Sequence, residues 1–248
     1  MKLAIFGYGK MGKEIERLAL KENHEIVLRV SSQSSGNISS DKLREADVAL
    51  EFSTPGSAYQ NCLTCFNSGV NVVCGTTGWD ENIAKVKQFC SAKNLGFFYA
   101  SNFSIGVNML FILNKQLARL MNNFPAYEPS IEEIHHVRKL DSPSGTAITL
   151  SKDIISEIKR KKSIKNILLR NTQHDLANYG EALPVFSIRE GDVIGTHSIS
   201  YSSDVDTLQI RHEAHSREAF ARGALMAANW MYEKKGIFDM SDLLKLND

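Results

Sequence analysis

LAIFGYGKMGKEIERLAL, residues 3–20, decides how this chain is read. The short apolar run LAIFG leads straight into Gly7, Gly9 and Gly12, and Met11, Ile15, Leu18 and Ala19 then recur at helical spacing. Strand, glycine turn and helix in that order begin a dinucleotide-binding unit. Each glycine has its own task. Gly7 permits the tight turn, Gly9 lets the backbone approach a pyrophosphate, and Gly12 lets helix and strand pack closely. Tyr8, Lys10 and Met11 share the turn. The helix behind it offers unpaired N–H groups and partial positive charge to phosphates. The pattern alone is weak; its place between strand and helix gives it meaning.

Four more short apolar runs follow: EIVLRV (25–30), VALEFS (48–53), VNVVCG (70–75) and FFYAS (97–101). The segments between them share no motif, so their regular spacing is the length of a strand-helix unit and not of a repeat. Strands continuous in apolar residues and alternating with helices predict a parallel sheet covered on both faces, a Rossmann-like doubly wound fold. Ligands of such sheets lie beyond the carboxyl ends of the strands. Ser31 and Ser32, Phe52, then Gly75, Thr76 and Thr77, and Ser101, Asn102, Phe103 and Ser104 stand at those ends. They are candidates to hold a nicotinamide dinucleotide.

The whole chain has 248 residues, 43% hydrophobic and 23% charged, with a net charge of +1. No global field draws it to nucleic acid or anionic membrane, and no apolar run is long enough to span a bilayer. MKLAIFGYGKMGKE lacks the features of a signal peptide, so a cytoplasmic protein is expected. Cys62 and Cys65 form a C-x-x-C inside a helical pattern with Ala58 and Phe66. With Cys74 and Cys90 they read as small core residues without metal or redox partners.

The second half changes texture. GVNMLFILNKQLARLMNN, from Gly106, is helical, with Val107, Leu110, Phe111, Leu117 and Met121 on one face. PVFSIR (184–189), VIGTHSISYSS (193–203) and TLQIRHEAH (207–215) are strands split by the turn signals Glu190-Gly191-Asp192 and Asp204. Successive hairpins, joined by 130–139, predict a C-terminal α+β domain with a mixed, largely antiparallel sheet. A helix over REAFARGALMAANWMYEKK and a short one beginning with Ser241 close the chain. The expected division is residues 1–105 with 217–248 as the dinucleotide-binding domain, and 106–216 as the substrate-binding and oligomerisation domain.

Within that second domain HHVRKLDSPSGTA, residues 135–147, gathers His135, His136, Arg138 and Lys139 ahead of a helix start. Ser142-Pro143 has the form of a cap and first helical position, which places Ser144, Gly145 and Thr146 in a first turn with free N–H groups. Gly145 removes a side chain that would block a carboxylate. If the preceding strand runs to residue 139, His135, Val137 and Lys139 share a side. An imidazole changes protonation near neutral pH, and a lysine supplies charge and a proton. The plain alternative is two strand histidines beside a solvated basic turn; the anion-ready helix and the dinucleotide domain weigh against it. His197, His212 and His215 lack metal-like context, and no metal is expected.

EIHHVRKLDSPSGTA resembles the signature of the 4-hydroxy-tetrahydrodipicolinate (dihydrodipicolinate) reductase family. GYGKMG, FSTPGS, CGTTGW, SNFSIGVN, REGDVIGTHS and GIFDMSDLLKL extend the resemblance over nearly the whole chain. It implies reduction of a cyclic imine dicarboxylate in lysine and diaminopimelate biosynthesis. It also implies His135 as catalytic acid/base, Lys139 as proton donor, His136, Gly145 and Thr146 as substrate contacts, and a homotetramer formed through the second domain's sheet. Two features depart from the family pattern: residues 159–183 lack its Arg-x-Gly loop, and the glycine turn is one residue shorter than G-x-x-G-x-x-G.

The second strand ends Arg29-Val30-Ser31-Ser32-Gln33 without the acid that grips ribose hydroxyls in NAD sites. Use of both NADPH and NADH is therefore expected, NADPH modestly favoured. Two other classes fit the sequence less well. A semialdehyde dehydrogenase needs a nucleophilic cysteine facing substrate, but all four cysteines lie in the first half. A cofactor sensor without turnover has no use for His135 and Lys139 beside an anion pocket.

Overall fold

Within Lys2–Phe6, Leu3 and Ile5 belong to one hydrophobic cluster and Ala4 and Phe6 to another, all completely buried. Alternate residues of a strand face opposite ways, so this strand lies inside a sheet covered on both sides. The computed structural model describes residues 1–33, 38–169 and 179–245. In chain order its elements are β1 (Lys2–Phe6), α1 (Lys10–Lys21), β2 (Glu25–Val30), α2 (Ser40–Arg44), β3 (Val48–Glu51), α3 (Pro55–Asn67), β4 (Asn71–Cys74), α4 (Asp80–Ala92) and β5 (Gly96–Tyr99). Next come α5 (Ile105–Met121), β6 (Glu128–His135), α6 (Gly145–Glu157), β7 (Ser163–Leu169), β8 (Ala182–Arg189), β9 (Gly195–Ser202) and β10 (Thr207–Ala214). The chain ends with α7 (Glu218–Met231), β11 (Gly236–Phe238) and α8 (Met240–Leu243). None of the described helices is long and apolar enough to cross a membrane.

The chain divides into two compact units, Met1–Ile105 with Arg217–Asp248, and Gly106–Ser216. In the first, six parallel strands run in the order β11-β5-β4-β3-β1-β2. The apolar residues of α1 and α7 cover one face with Leu3, Ile5 and Leu50. Those of α3 and α4 cover the other with Ala4, Phe6 and Val72. This is the doubly wound Rossmann-like sheet. Chain direction across it reverses between β1 and β3, the position where such sheets open a crevice. The strand β11, pairing with β5, has no counterpart in the sequence reading because three residues carry no periodicity. The closing helix starts two residues earlier than a cap at Ser241 would place it: Asp239 is its N-cap and accepts from the Ser241 N–H at 2.7 Å.

The second unit is a mixed five-stranded sheet, β10-β9-β6-β8-β7. Leu110 and Ala118 of α5 and Leu150 and Ile154 of α6 pack on Ile131, Val185 and Tyr201 of its strands. Only β9 and β10 form the expected hairpin. The expected hairpin between 184–189 and 193–203 does not form, because β6 lies between β8 and β9, parallel to the first and antiparallel to the second. The turn signal at 190–192 is real but serves a different purpose. Glu190 N–H donates to His135 O and Val137 N–H to Gly191 O, so the link passes over the end of β6. Strand β7, from the unassigned 159–183 stretch, adds a second parallel ladder. Residues 170–178 of that stretch lie outside the described residues.

Candidate active site

The glycine turn between β1 and α1 is built by the absence of side chains. Gly7 has φ +92, and a Cβ there would lie 2.1 Å from the carbonyl oxygen of Phe52. At Gly12 a Cβ would come within 2.3 Å of the Gly7 carbonyl oxygen. Gly9 differs: nothing lies within 4 Å of the position of its Cβ, and it is the N-cap of α1 without a side-chain cap. The N–H groups of the first helical turn therefore have no partner inside the helix. Gly7, Tyr8, Gly9, Ser31, Ser32 and Phe52 line a cavity of about 380 Å³ with Val30, Ser53, Thr54, Ser57 and Asn61. A second hollow of about 290 Å³ is lined by Met11, Phe52, Ser53, Pro55, Gly75, Thr76 and Thr77. Both lie at the carboxyl ends of β1 to β4. These residues fit a dinucleotide: an open helix start for phosphates and polar loop ends for sugars and amide.

Other candidates sit differently. Gly12 is buried behind the turn, and Lys10 is exposed at the head of α1. Phe103 is buried, its ring 5.4 Å from that of Phe52, so it backs the cleft wall. Ser101 is exposed, Asn102 half-buried and Ser104 buried, the Ser104 N–H donating to Asn102 Oδ1 at 2.9 Å.

Two acids matter here that the sequence reading passed over. Glu51, completely buried at the end of β3, accepts from Asn61 Nδ2 at 3.1 Å, Cys74 Sγ at 3.3 Å and the Ser53 hydroxyl. It fixes the loop whose Ser53 N–H donates to Thr76 Oγ1 at 2.9 Å. Glu16, on α1, accepts from Arg29 Nε at 2.7 Å and from the Tyr8 hydroxyl. The tip of β2 thus has an acid beside it after all, brought from another element and neutralised by Arg29.

In the second unit β6 ends at His135, not at residue 139. The chain turns there, the Lys139 N–H donating to His136 O at 3.0 Å. The shared side proposed for His135, Val137 and Lys139 is therefore lost, and His136 lies half-buried in the turn. Lys139 Nζ donates to Asp141 Oδ1 and Oδ2 at 2.8 and 2.7 Å. Burial works against the charge of Asp141, but the lysine outweighs it and holds the carboxyl below its ordinary range. The helix start also moves. Ser142-Pro143 is a cis bond preceding the helix, and Ser144 is the N-cap of α6, its hydroxyl accepting from the Ala147 N–H at 3.2 Å. Ser142 Oγ instead accepts from Asn166 Nδ2 at 2.9 Å. Gly145 and Thr146 remain in the first turn, and a Cβ on Gly145 would meet nothing within 4 Å.

Behind them lies a buried polar cluster. Glu133 is completely buried, with Oε2 3.1 Å from His135 Nδ1 and Oε1 accepting from the Ser144 N–H and Arg189 Nη2, both at 3.1 Å. Arg189 also donates to Asp141 O at 2.7 Å. His197 Nε2 lies 3.1 Å from Ser144 Oγ, and its ring stands edge-on to that of His135 at 5.1 Å. Burial opposes the charge of Glu133, yet the polar groups of His135, Ser144 and Ser187 around it outweigh burial and hold the carboxyl below its ordinary range. Burial, with His135 second, lowers His197 to about 3, so its ring is neutral. Donor atoms of Glu133, His135 and His197 all lie within 4.8 Å of one another. A metal would accept that spacing, but Arg189 stands against the same carboxylate. Ser144 and Arg189 hydrogen-bond one oxygen of Glu133, and the other oxygen faces His135 at 3.1 Å.

Both halves of this architecture match known proteins. A family model described as dihydrodipicolinate reductase, N-terminus, matches residues 1–103, and one described as dihydrodipicolinate reductase, C-terminus, matches residues 106–244. The chain belongs to the dihydrodipicolinate reductase family. The 4-hydroxy-tetrahydrodipicolinate reductase of Christiangramia forsetii is 43% identical over 244 residues, 98% of each chain. That of Neisseria meningitidis serogroup B is 32% identical over 234 residues, 94% of this chain and 85% of the other. Among solved structures, the dipicolinate-bound dihydrodipicolinate reductase of Paenisporosarcina sp. TG-14 has the same fold, with TM-score 0.73 and 24% identity over 98% of both chains.

In this member of the family, sequence reasoning missed Glu133, Ser144 as cap, Arg189 and His197. One signal was present. Glu133 stands two residues before His135, which on a strand puts both side chains on the same face.

Proposed function

We infer that the chain carries out its family's reaction, the NAD(P)H-dependent reduction of 4-hydroxy-tetrahydrodipicolinate to tetrahydrodipicolinate in lysine and diaminopimelate biosynthesis. One observation carries the reading of its residues. A buried carboxylate joins His135 to the start of α6, where the N–H groups of Gly145 and Thr146 take no partner inside the helix. The first unit holds the dinucleotide through Gly7, Gly9, Gly12 and the loops at Phe52 and Gly75–Thr77. When bound, the nicotinamide supplies hydride.

The substrate is a small cyclic imine carrying two carboxylates, and its hydroxyl leaves as water. As hydride reaches the ring carbon that bore the hydroxyl, negative charge develops toward the ring nitrogen, and donors placed there stabilise it. His135 acts as the acid/base and Lys139 delivers a proton, released from Asp141 when a substrate carboxylate competes for the ammonium. Gly145 and Thr146 hold a carboxylate by their N–H groups at the positive end of α6, and His136 adds a contact. Both NADPH and NADH are used, NADPH modestly favoured, because Arg29 offsets Glu16 beside the tip of β2.

A homotetramer formed through the second unit's sheet is supported by Leu168 and Leu208, 62% and 45% exposed on strands β7 and β10. A cytoplasmic setting accords with four buried cysteines that form no disulfide. Generating substrate with the upstream synthase from pyruvate and aspartate semialdehyde, adding this protein, and following reduced-cofactor absorbance tests the reaction. Loss of absorbance dependent on both synthase and this protein is expected; an unchanged signal would refute it. Light scattering of the purified chain tests the tetramer.

A further inference from the structure

An imidazole exchanges a proton through one ring nitrogen while a partner at the other decides which tautomer is present. Around His135 the partners are visible. Nδ1 lies 3.1 Å from Glu133 Oε2. Nε2 lies over Gly195, where an added Cβ would come within 3.1 Å of it. We propose that Glu133 is a positioning residue for His135: its carboxylate receives the Nδ1 proton and leaves Nε2 as the nitrogen that exchanges protons with substrate. This rests on the reading of His135 as the acid/base.

The division of labour between the two oxygens of Glu133 carries the argument. Oε1 is taken by two donors, the Ser144 N–H and Arg189 Nη2. Neither can accept, so an acceptor must stand at Oε1. Oε2 is left for the histidines. His197 competes for it from 3.9 Å but is neutral, and its Nε2 is already 3.1 Å from Ser144 Oγ. His135 is closer. The Nδ1–Oε2 contact is short but not aligned as a hydrogen bond, and neither atom has another hydrogen-bond partner among the described residues; such contacts in free enzymes commonly tighten when substrate binds. The same carboxylate therefore orients the acid/base and anchors the cap of α6, so that ring and anion site are set by one buried group.

Replacing Glu133 by glutamine turns this geometry into a specific expectation. Ser144 and Arg189 hold the amide oxygen at the Oε1 position, which points the NH2 group at His135 Nδ1. That nitrogen must then accept, and the ring is driven to the Nε2–H tautomer. Glu133 and His197 lie against the His135 ring, Arg189 shares the Glu133 carboxylate, and the Lys139 ammonium is held by Asp141.

The experiment is nitrogen NMR of the imidazoles in the full-length, histidine-labelled protein, at a pH where the rings are neutral, with steady-state kinetics alongside. His135 of the unaltered protein should carry its proton on Nδ1. In Glu133→Gln it should move to Nε2, kcat should fall about 10²-fold, the alkaline and acid limbs of the kcat profile should shift, and the Michaelis constant for cofactor should hold. The double variant with His135→Ala should lose no more than His135→Ala alone. An Nε2–H tautomer in the unaltered protein overturns the proposal even if Glu133→Gln does not fold. So do multiplicative losses in the double variant. Full turnover by His135→Ala instead refutes the acid/base reading, while the tautomer measurement still reports on Glu133.

Discussion

The helix starts of α1 and α6 each present a glycine to solvent, Gly9 and Gly145, and they are built by opposite means. At α1 the N-cap is Gly9, with no side-chain cap, and its neighbours Gly7 and Gly12 exist because a Cβ would strike backbone at 2.1 and 2.3 Å. At α6 the N-cap is Ser144, fully engaged, and behind it lie a buried carboxylate, two histidines and an arginine. The first site is made by leaving atoms out. The second is made by packing titratable groups in. A site that only holds phosphates needs space and N–H groups, whereas one that also moves protons needs groups whose protonation is set by their surroundings.

The sharpest way to break this contrast is to remove chemistry from the second site. His135→Ala and Lys139→Ala should each lower kcat by about 10²- to 10⁴-fold, the usual contribution of a placed acid or base, with cofactor affinity nearly unchanged. Full activity in either well-folded variant would reduce that site to an anion holder like the first. The converse test adds an atom to the first site. Gly7→Ala combines a left-handed φ with a backbone clash, so a loss of about 1–3 kcal/mol in stability is expected from strain alone, read by denaturant unfolding together with weakened dinucleotide binding.

The two sites should also differ in acid. His197 is lowered to about 3 from an ordinary value of 6.5. Between those values the unfolded chain binds a proton there that the folded protein refuses, so stability rises with pH and is lost as pH falls through the window. Each such proton contributes a slope of at most about 1.4 kcal/mol per pH unit. Unfolding curves from pH 6.5 downward should show this slope, and His197→Gln should flatten it. An identical slope in that variant would assign the effect elsewhere.

Gly9→Val and Gly145→Val test what the sites share. Neither position is crowded, so both variants should fold, losing less than about 1 kcal/mol. Gly9→Val should raise the Michaelis constant for cofactor, and Gly145→Val that for substrate, each by about tenfold, the loss expected when one hydrogen-bonded anion contact is blocked. Tight binding of a dicarboxylate inhibitor to Gly145→Val would place the anion elsewhere. The smallest effect expected is in cofactor choice. Specificity constants should favour NADPH over NADH by on the order of 1 kcal/mol, about tenfold, and Ser31→Asp should reverse this by charge repulsion. A strong preference for NADH would mean that Glu16, despite Arg29, acts as the missing acid.

Read as a string of residues, the chain determines whatever depends on neighbours in sequence. The five N-terminal strands, the glycine turn, the existence of a helix beyond Pro143 and the signature around His135 all rest on local spacing, and the parallel sheet follows because a helix joins each strand to the next, although α2 carries the chain from β2 past β1 to β3. The order of the second sheet does not follow in this way. A turn signal at Glu190-Gly191-Asp192 looks the same whether it closes a hairpin or carries the chain over β6, and only pairing between distant strands chooses. The same holds for the polar cluster. Ser144 and His197 are 53 residues apart, and Glu133 and Arg189 are 56 apart. Tertiary packing alone decided that they share one buried carboxylate, because the low-dielectric interior makes a lone charge too unfavourable to stand without partners. Residue types named the candidate groups; the burial of Glu133 decided which of them stand together.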